Sequence, residues 1–92
     1  YRELPGGVIE NVYSLRVLNK DEAPHVFTVA VEPADRFTVE VGDSLALGPG
    51  EVRAVPARVR TLAAHRGGGG TEIEFVLRSD AGVTAERESR FL

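Results

Sequence analysis

The 92-residue chain contains no cysteine, no methionine and no tryptophan. Without cysteine there is no disulfide, no thiolate metal site and no cysteine nucleophile. With both sulfur-bearing residues missing, the soft donors that a reduced-copper site prefers are missing as well. No apolar run approaches the roughly 20 residues of a membrane-spanning helix, and no signal-peptide pattern opens the chain. Basic charge is not in excess: 14 acids against 11 bases leave a net charge of −3. That balance speaks against nucleic-acid binding. The chain starts at Tyr1-Arg2 without an initiator methionine, so residues 1–92 are expected to form one domain cut from a longer protein.

What is present is a strand-rich pattern. The apolar fraction is 42%, dominated by valine with four phenylalanines and two tyrosines. These are the residue types that suit a half-buried pleated surface. Sustained helical periodicity is absent, and the period is two almost everywhere. In "GGVIENVYSLRVLNKDE", Tyr13, Leu15 and Val17 fall on one face, with Ser14 and Arg16 on the other. The turn residues of Asn19 to Pro24 follow, and then "HVFTVAV" aims Phe27, Val29 and Val31 at the core.

"FTVEV" alternates Phe37, Val39 and Val41 against Thr38 and Glu40, and a break at Gly42-Asp43 precedes Leu45 and Leu47. A long stretch from Val52 to Leu62 contains Pro56, which predicts an edge position or a bulge because proline cannot donate to a ladder. "HRGGGG" reads as a hairpin loop before "TEIEFVLRS", and a weaker, more polar strand closes the chain from Val83 to Leu92. Seven or eight short strands with turns at this spacing predict an all-β fold, an immunoglobulin-like antiparallel β-sandwich. An open barrel is the minor alternative. Asn11 and Asn19 frame the first long strand and are expected at its two ends, bonding local backbone.

Enzyme signatures do not survive inspection. The glycine run Gly67 to Gly70 leads into a strand and lacks the Lys-Ser/Thr and helix of a phosphate loop. Ser44 lacks a nucleophile elbow. The acids are expected on solvated strand faces and turns, with no pair that periodicity brings together. His25 and His65 are the only histidines, and an exposed structural role is expected for each. Catalytic, cofactor-binding and metal-ligating residues are therefore all expected to be absent.

Two surfaces are candidates for contact. No acid occurs from Val52 to Gly70, and Arg58 and Arg60 flank Val59 on the outward side. Pairing of this strand with the Tyr13 strand would add Arg16 to the same face. The bland account is a soluble face that prevents edge-to-edge stacking; the sharper one is a cationic docking surface. On the other sheet, Val26, Thr28, Ala30 and Val76 point outward and are unusually apolar, suggesting cover by a parent protein, a second copy or the chain's own terminal strand.

The stretch "PGGVIENVYSLRVLNKDEAPHVFTVAVE" resembles the C-terminal domain of the FixG/RdxA/CcoG family, accessory proteins of cytochrome c oxidase assembly. The features that carry it are the turn glycine, Ile9-Glu10-Asn11, Tyr13 two residues on, and Asn19-Lys20 at the close of the strand. "LALGPGEVRAVPARVR" and the closing Ser89-Arg90-Phe91-Leu92 are similar to later family segments, so the resemblance spans essentially the whole chain.

The resemblance implies a membrane-bound parent with [4Fe-4S] clusters that handles copper, as a cupric reductase, for the cbb3-type oxidase. It places this domain after the last membrane span, on the periplasmic side of the bacterial inner membrane. Neither the cluster cysteines nor the membrane histidines of that parent occur here, so no cofactor is expected in this fragment. The function implied is a non-catalytic accessory domain acting through protein–protein contact. Its partner would be the rest of the parent chain or an oxidase-assembly protein, with no nucleic acid and no small-molecule substrate. Two other classes stand beside it: a generic bacterial extracellular adhesion or carbohydrate-associated module, and a metal-binding domain using His25 or His65.

Overall fold

Period-two sequence becomes eight strands in the structure, a computed structural model that describes residues 2–42, 45–62 and 70–91. They are β1 (Arg2–Leu4), β2 (Val8–Leu18), β3 (His25–Glu32), β4 (Thr38–Val41), β5 (Ala46–Leu47), β6 (Val52–Leu62), β7 (Thr71–Ser79) and β8 (Thr84–Phe91). No helix occurs among the described residues. One sheet runs β1-β2-β6-β4 and the other β5-β3-β7-β8, every pairing antiparallel. This is the predicted sandwich, with eight strands. The expectations for Ser44, His65 and most of the glycine run fall outside the described residues.

The spine of the first sheet is the ladder between β2 and β6, two eleven-residue strands paired from Val8↔Leu62 to Leu18↔Val52. At its start, the Pro5-Gly6-Gly7 turn folds β1 back on β2; φ is 82° at Gly6 and 74° at Gly7, a left-handed region that glycine enters without steric cost.

The alternation places side chains as anticipated. Leu15, Val17, Phe27, Val29, Val31, Ile73, Phe75 and Leu77 all pack into the core. Two clusters divide it along the long axis. Ile9, Val31, Phe37, Val59, Ile73, Phe75 and Phe91 build one end. Val17, Leu45, Leu47 and Val55 build the other, with Leu15, Phe27 and Leu77 packed against them.

Three local expectations are corrected. Asn11 does not cap β2; it lies inside the strand, opposite Val59. Pro56 sits on an interior strand, but the β4 ladder ends one residue away at Val41↔Ala57. Proline is tolerated there because only β2 still flanks β6 at that point. The terminal strand does not cover the apolar outer face of β3 and β7. It extends their sheet at the edge of β7, so Val26 keeps 51% of its surface exposed.

Candidate functional site

Arg16, Arg58 and Arg60 do lie on one outer face, because β2 pairs with β6, but they do not form one patch. Arg58 stands opposite Val12 and Arg16 opposite Ala54. Four residues of strand separate those two positions, about 13 Å. Arg60 is engaged: its Nε donates to Glu10 Oε2 at 2.7 Å and a terminal nitrogen to Glu40 Oε2 at 3.3 Å. Arg2 holds the other Glu10 oxygen at 3.0 Å. Arg16 and Arg58 form no ion pair among the described residues.

Glu10 is the residue that sequence reasoning missed. Its parity points outward, yet its side chain is only 2% exposed, roofed by the two arginines. The hydrogen bond from Arg60, reinforced by the charges of Arg2, Arg60 and Arg58, holds its carboxyl below the usual range against the opposing effect of burial. A buried acid with one cationic partner on each oxygen is a fixed structural element, since removing either partner leaves charge less compensated. The acid-free run in β6 is therefore supplied with acids from neighbouring strands.

His25 also departs from expectation. Its side chain is 15% exposed and lies between two carboxylates, with Nε2 at 2.6 Å from Asp21 Oδ2 and Nδ1 at 2.6 Å from Asp80 Oδ1. Asp21 comes from the connection after β2, and Asp80 from the turn after β7. Asp80 Oδ2 also accepts from the backbone N–H of Val26 at 3.2 Å. The hydrogen bonds to Asp21 and then Asp80 raise the imidazole pKa. In return, Asp21 is lowered chiefly by His25, and Asp80 chiefly by the Val26 N–H and then by His25. With each nitrogen facing a carboxylate, the imidazolium form satisfies both, and neither nitrogen is left for a metal. No group of three or more His, Asp or Glu side chains among the described residues is arranged to hold one.

Asn19 closes the same end of the sandwich. It is 1% exposed, and its amide nitrogen donates to the carbonyls of Ala23, Leu47 and Gly48 at 2.9, 3.2 and 3.1 Å. Its Oδ1 accepts from the Asp21 N–H at 3.0 Å, an Asx turn. That is the backbone-bonding role anticipated for it. Asn11 serves differently, its amide lying by the Tyr13 hydroxyl. That hydroxyl donates to the Arg90 carbonyl at 2.6 Å and so bridges the two sheets.

Beside these clamps, the sandwich opens between β2 and β8. A cleft of about 560 Å³ is lined by Leu18, Phe27, Leu77, Val83 and Ala85, with Lys20, Asp21 and His25 at its rim. A neighbouring one of about 230 Å³ continues past Leu15, Val17, Val29 and Phe75 to Arg87. The floor of both clefts is mostly apolar, with Ser79 and Thr84 among the polar groups of the larger one. On the outer face of the second sheet, register sets Glu32, Glu74 and Glu88 side by side. The acids thus do converge at one place, although like charges directly opposite are destabilising.

The comparisons with known proteins agree with this architecture. A family profile described as "IG-like fold at C-terminal of FixG, putative oxidoreductase" matches residues 1–92. Among solved structures, the chain is similar to a FixG-related protein from Vibrio parahaemolyticus, with 28% identity and a TM-score of 0.81. That likeness covers 94% of this chain and 80% of the solved one. No curated protein matches.

Proposed function

The chain belongs to the family of immunoglobulin-like domains at the C-terminus of FixG, and from that premise we propose that it is a non-catalytic accessory domain of a membrane-bound iron–sulfur protein. The parent acts in copper handling during assembly of a cbb3-type oxidase. The domain works by protein–protein contact on the periplasmic side of the inner membrane. The observation that carries this is the family match over all 92 residues.

The chemistry of the chain supports the division of labour. [4Fe-4S] clusters need thiolate ligands, and this chain has no cysteine, so it does not fit that cofactor. The clusters belong to the parent. The polar groups that a catalyst would use are engaged in holding the fold: Glu10 by two arginines, His25 by two carboxylates, and Asn19 by backbone. Arg16 and Arg58 form no ion pair among the described residues and offer two separate cationic contact points on the outer face.

The test is to end the parent gene before this domain and follow three quantities: membrane insertion, cluster content and oxidase assembly. Insertion and clusters should persist while oxidase assembly falls. Normal oxidase assembly without the domain, or reduction of Cu(II) by the isolated 92-residue chain, would overturn the proposal.

A further inference from the structure

β1 accompanies β2 for a short distance only, from Leu4↔Val8 to Arg2↔Glu10. Beyond that, the edge of β2 from Asn11 to Leu18 has no partner strand among the described residues on the side away from β6. β8 likewise pairs with β7 alone. The two bare edges border the apolar cleft in which Leu15 and Val17 approach Leu77 and Ala85. An uncovered strand edge beside apolar surface is a template for one more strand.

The register says which strand. β1 runs antiparallel to β2 with partner numbers that sum to twelve, so a chain traced upstream from Arg2 travels back along Val12 toward Leu18. It reaches this bare edge with no loop and no crossing. We propose that the polypeptide preceding this domain in its FixG-type parent continues β1 as an edge strand along Val12 to Leu18. It thereby roofs the cleft between β2 and β8 and ties the domain to the rest of the parent. The inference rests on the parental reading given above.

Seven residues upstream of Tyr1 span the distance, about 23 Å of extended chain. By parity, the second, fourth and sixth of them sit beside Tyr13, Leu15 and Val17 over the cleft, and apolar side chains are expected there. The first and seventh sit beside Val12 and Leu18, which are 61% and 42% exposed without the added strand. Their burial removes apolar surface from water.

Hydrogen exchange by mass spectrometry on the full parent in lipid nanodiscs tests this against the 92-residue chain. The segment Asn11 to Leu18 should exchange more slowly in the parent by a factor on the order of 100 at its open-edge amides. Prolines at the third and fourth residues upstream of Tyr1 should restore fast exchange there while Val52 to Leu62 stays protected. Equal exchange in parent and isolated chain would overturn the inference. So would protection that appears in the isolated chain with rising concentration, since a second copy would then be the occupant. A reading frame with no upstream polypeptide would overturn the parental reading, and this inference with it. An upstream polypeptide that leaves exchange unchanged overturns this inference alone.

Discussion

The two ends of the sandwich are held shut by different chemistry. At the Phe91 end the interior closure is apolar, with the Glu10–Arg60–Arg2 cluster on its outer face: Phe91 is fully buried, its ring 5.3 Å from that of Phe37, and Tyr13 meets Phe75 edge-on at 5.2 Å. At the Asn19 end a smaller cluster of four buried residues is finished by Asn19 and by the Asp21–His25–Asp80 clamp, beside an open cleft. Apolar closure is non-directional and indifferent to pH, whereas polar closure depends on geometry and protonation. The two ends should therefore fail separately and under different conditions.

The largest break should come at the apolar end. Phe91→Ala should lower stability by about 3–5 kcal/mol, the cost of a buried aromatic truncation, as read by urea denaturation. A loss under about 1 kcal/mol would mean the strand end is not anchored there. At the polar end, Asn19→Ala should cost about 2–3 kcal/mol, because the buried carbonyls it serves lose their donor. Exchange should accelerate around Leu47 and Ala23 and remain slow at Phe91; uniform acceleration would show that the ends are not separable.

Tyr13→Phe is a smaller cut. It deletes the bond to the Arg90 carbonyl and keeps the ring against Phe75, so a loss of about 1 kcal/mol is expected by thermal denaturation. No change at all would argue that the hydroxyl bridges nothing in solution.

The smallest effect, and the most selective, is on pH. The raised pKa of His25 means that its contribution is complete below the ordinary imidazole value of 6.5 and is lost as pH rises through the raised one. The lowered pKa values of Asp21 and Asp80 work in the other sense. Their contribution is present above the ordinary 3.8 and is lost as pH falls through the lowered values. The Asn19 end should be tightest between those limits. Nuclear magnetic resonance of the imidazole nitrogens should give a midpoint above 6.5 in the native chain. In Asp80→Asn that midpoint should fall. A midpoint at or below 6.5 in both would dissolve the clamp.

Much of the frame was legible beforehand. A sandwich of seven or eight strands, the inward faces and the role of Asn19 follow from alternation and turn chemistry, and the immunoglobulin-like topology supplied the pairing of β2 with β6; the short β1 did not show in the pattern. The misreadings share a cause. Asn11 looked like a cap because alternation cannot tell that β2 already begins at Val8. Pro56 looked like an edge marker because its sequence does not show where a neighbouring strand stops. Glu10 and His25 both looked exposed, because Arg60 and Asp80, which complete their cover, lie 50 and 55 residues along the chain.

By itself, then, the sequence determined which side of each strand faces the core. That choice is local: the pleat turns successive side chains to opposite faces, and water rejects the apolar ones. Only the tertiary structure decided which polar groups meet. Glu10 finds Arg60 fifty residues on, His25 finds Asp80 at a separation of 55, and the Tyr13 hydroxyl finds the Arg90 carbonyl at 77. Such meetings depend on sheet order and on register. A shift of two residues in either strand would keep the same side chains facing the core and change every partner, whereas a shift of one would turn the apolar set to solvent.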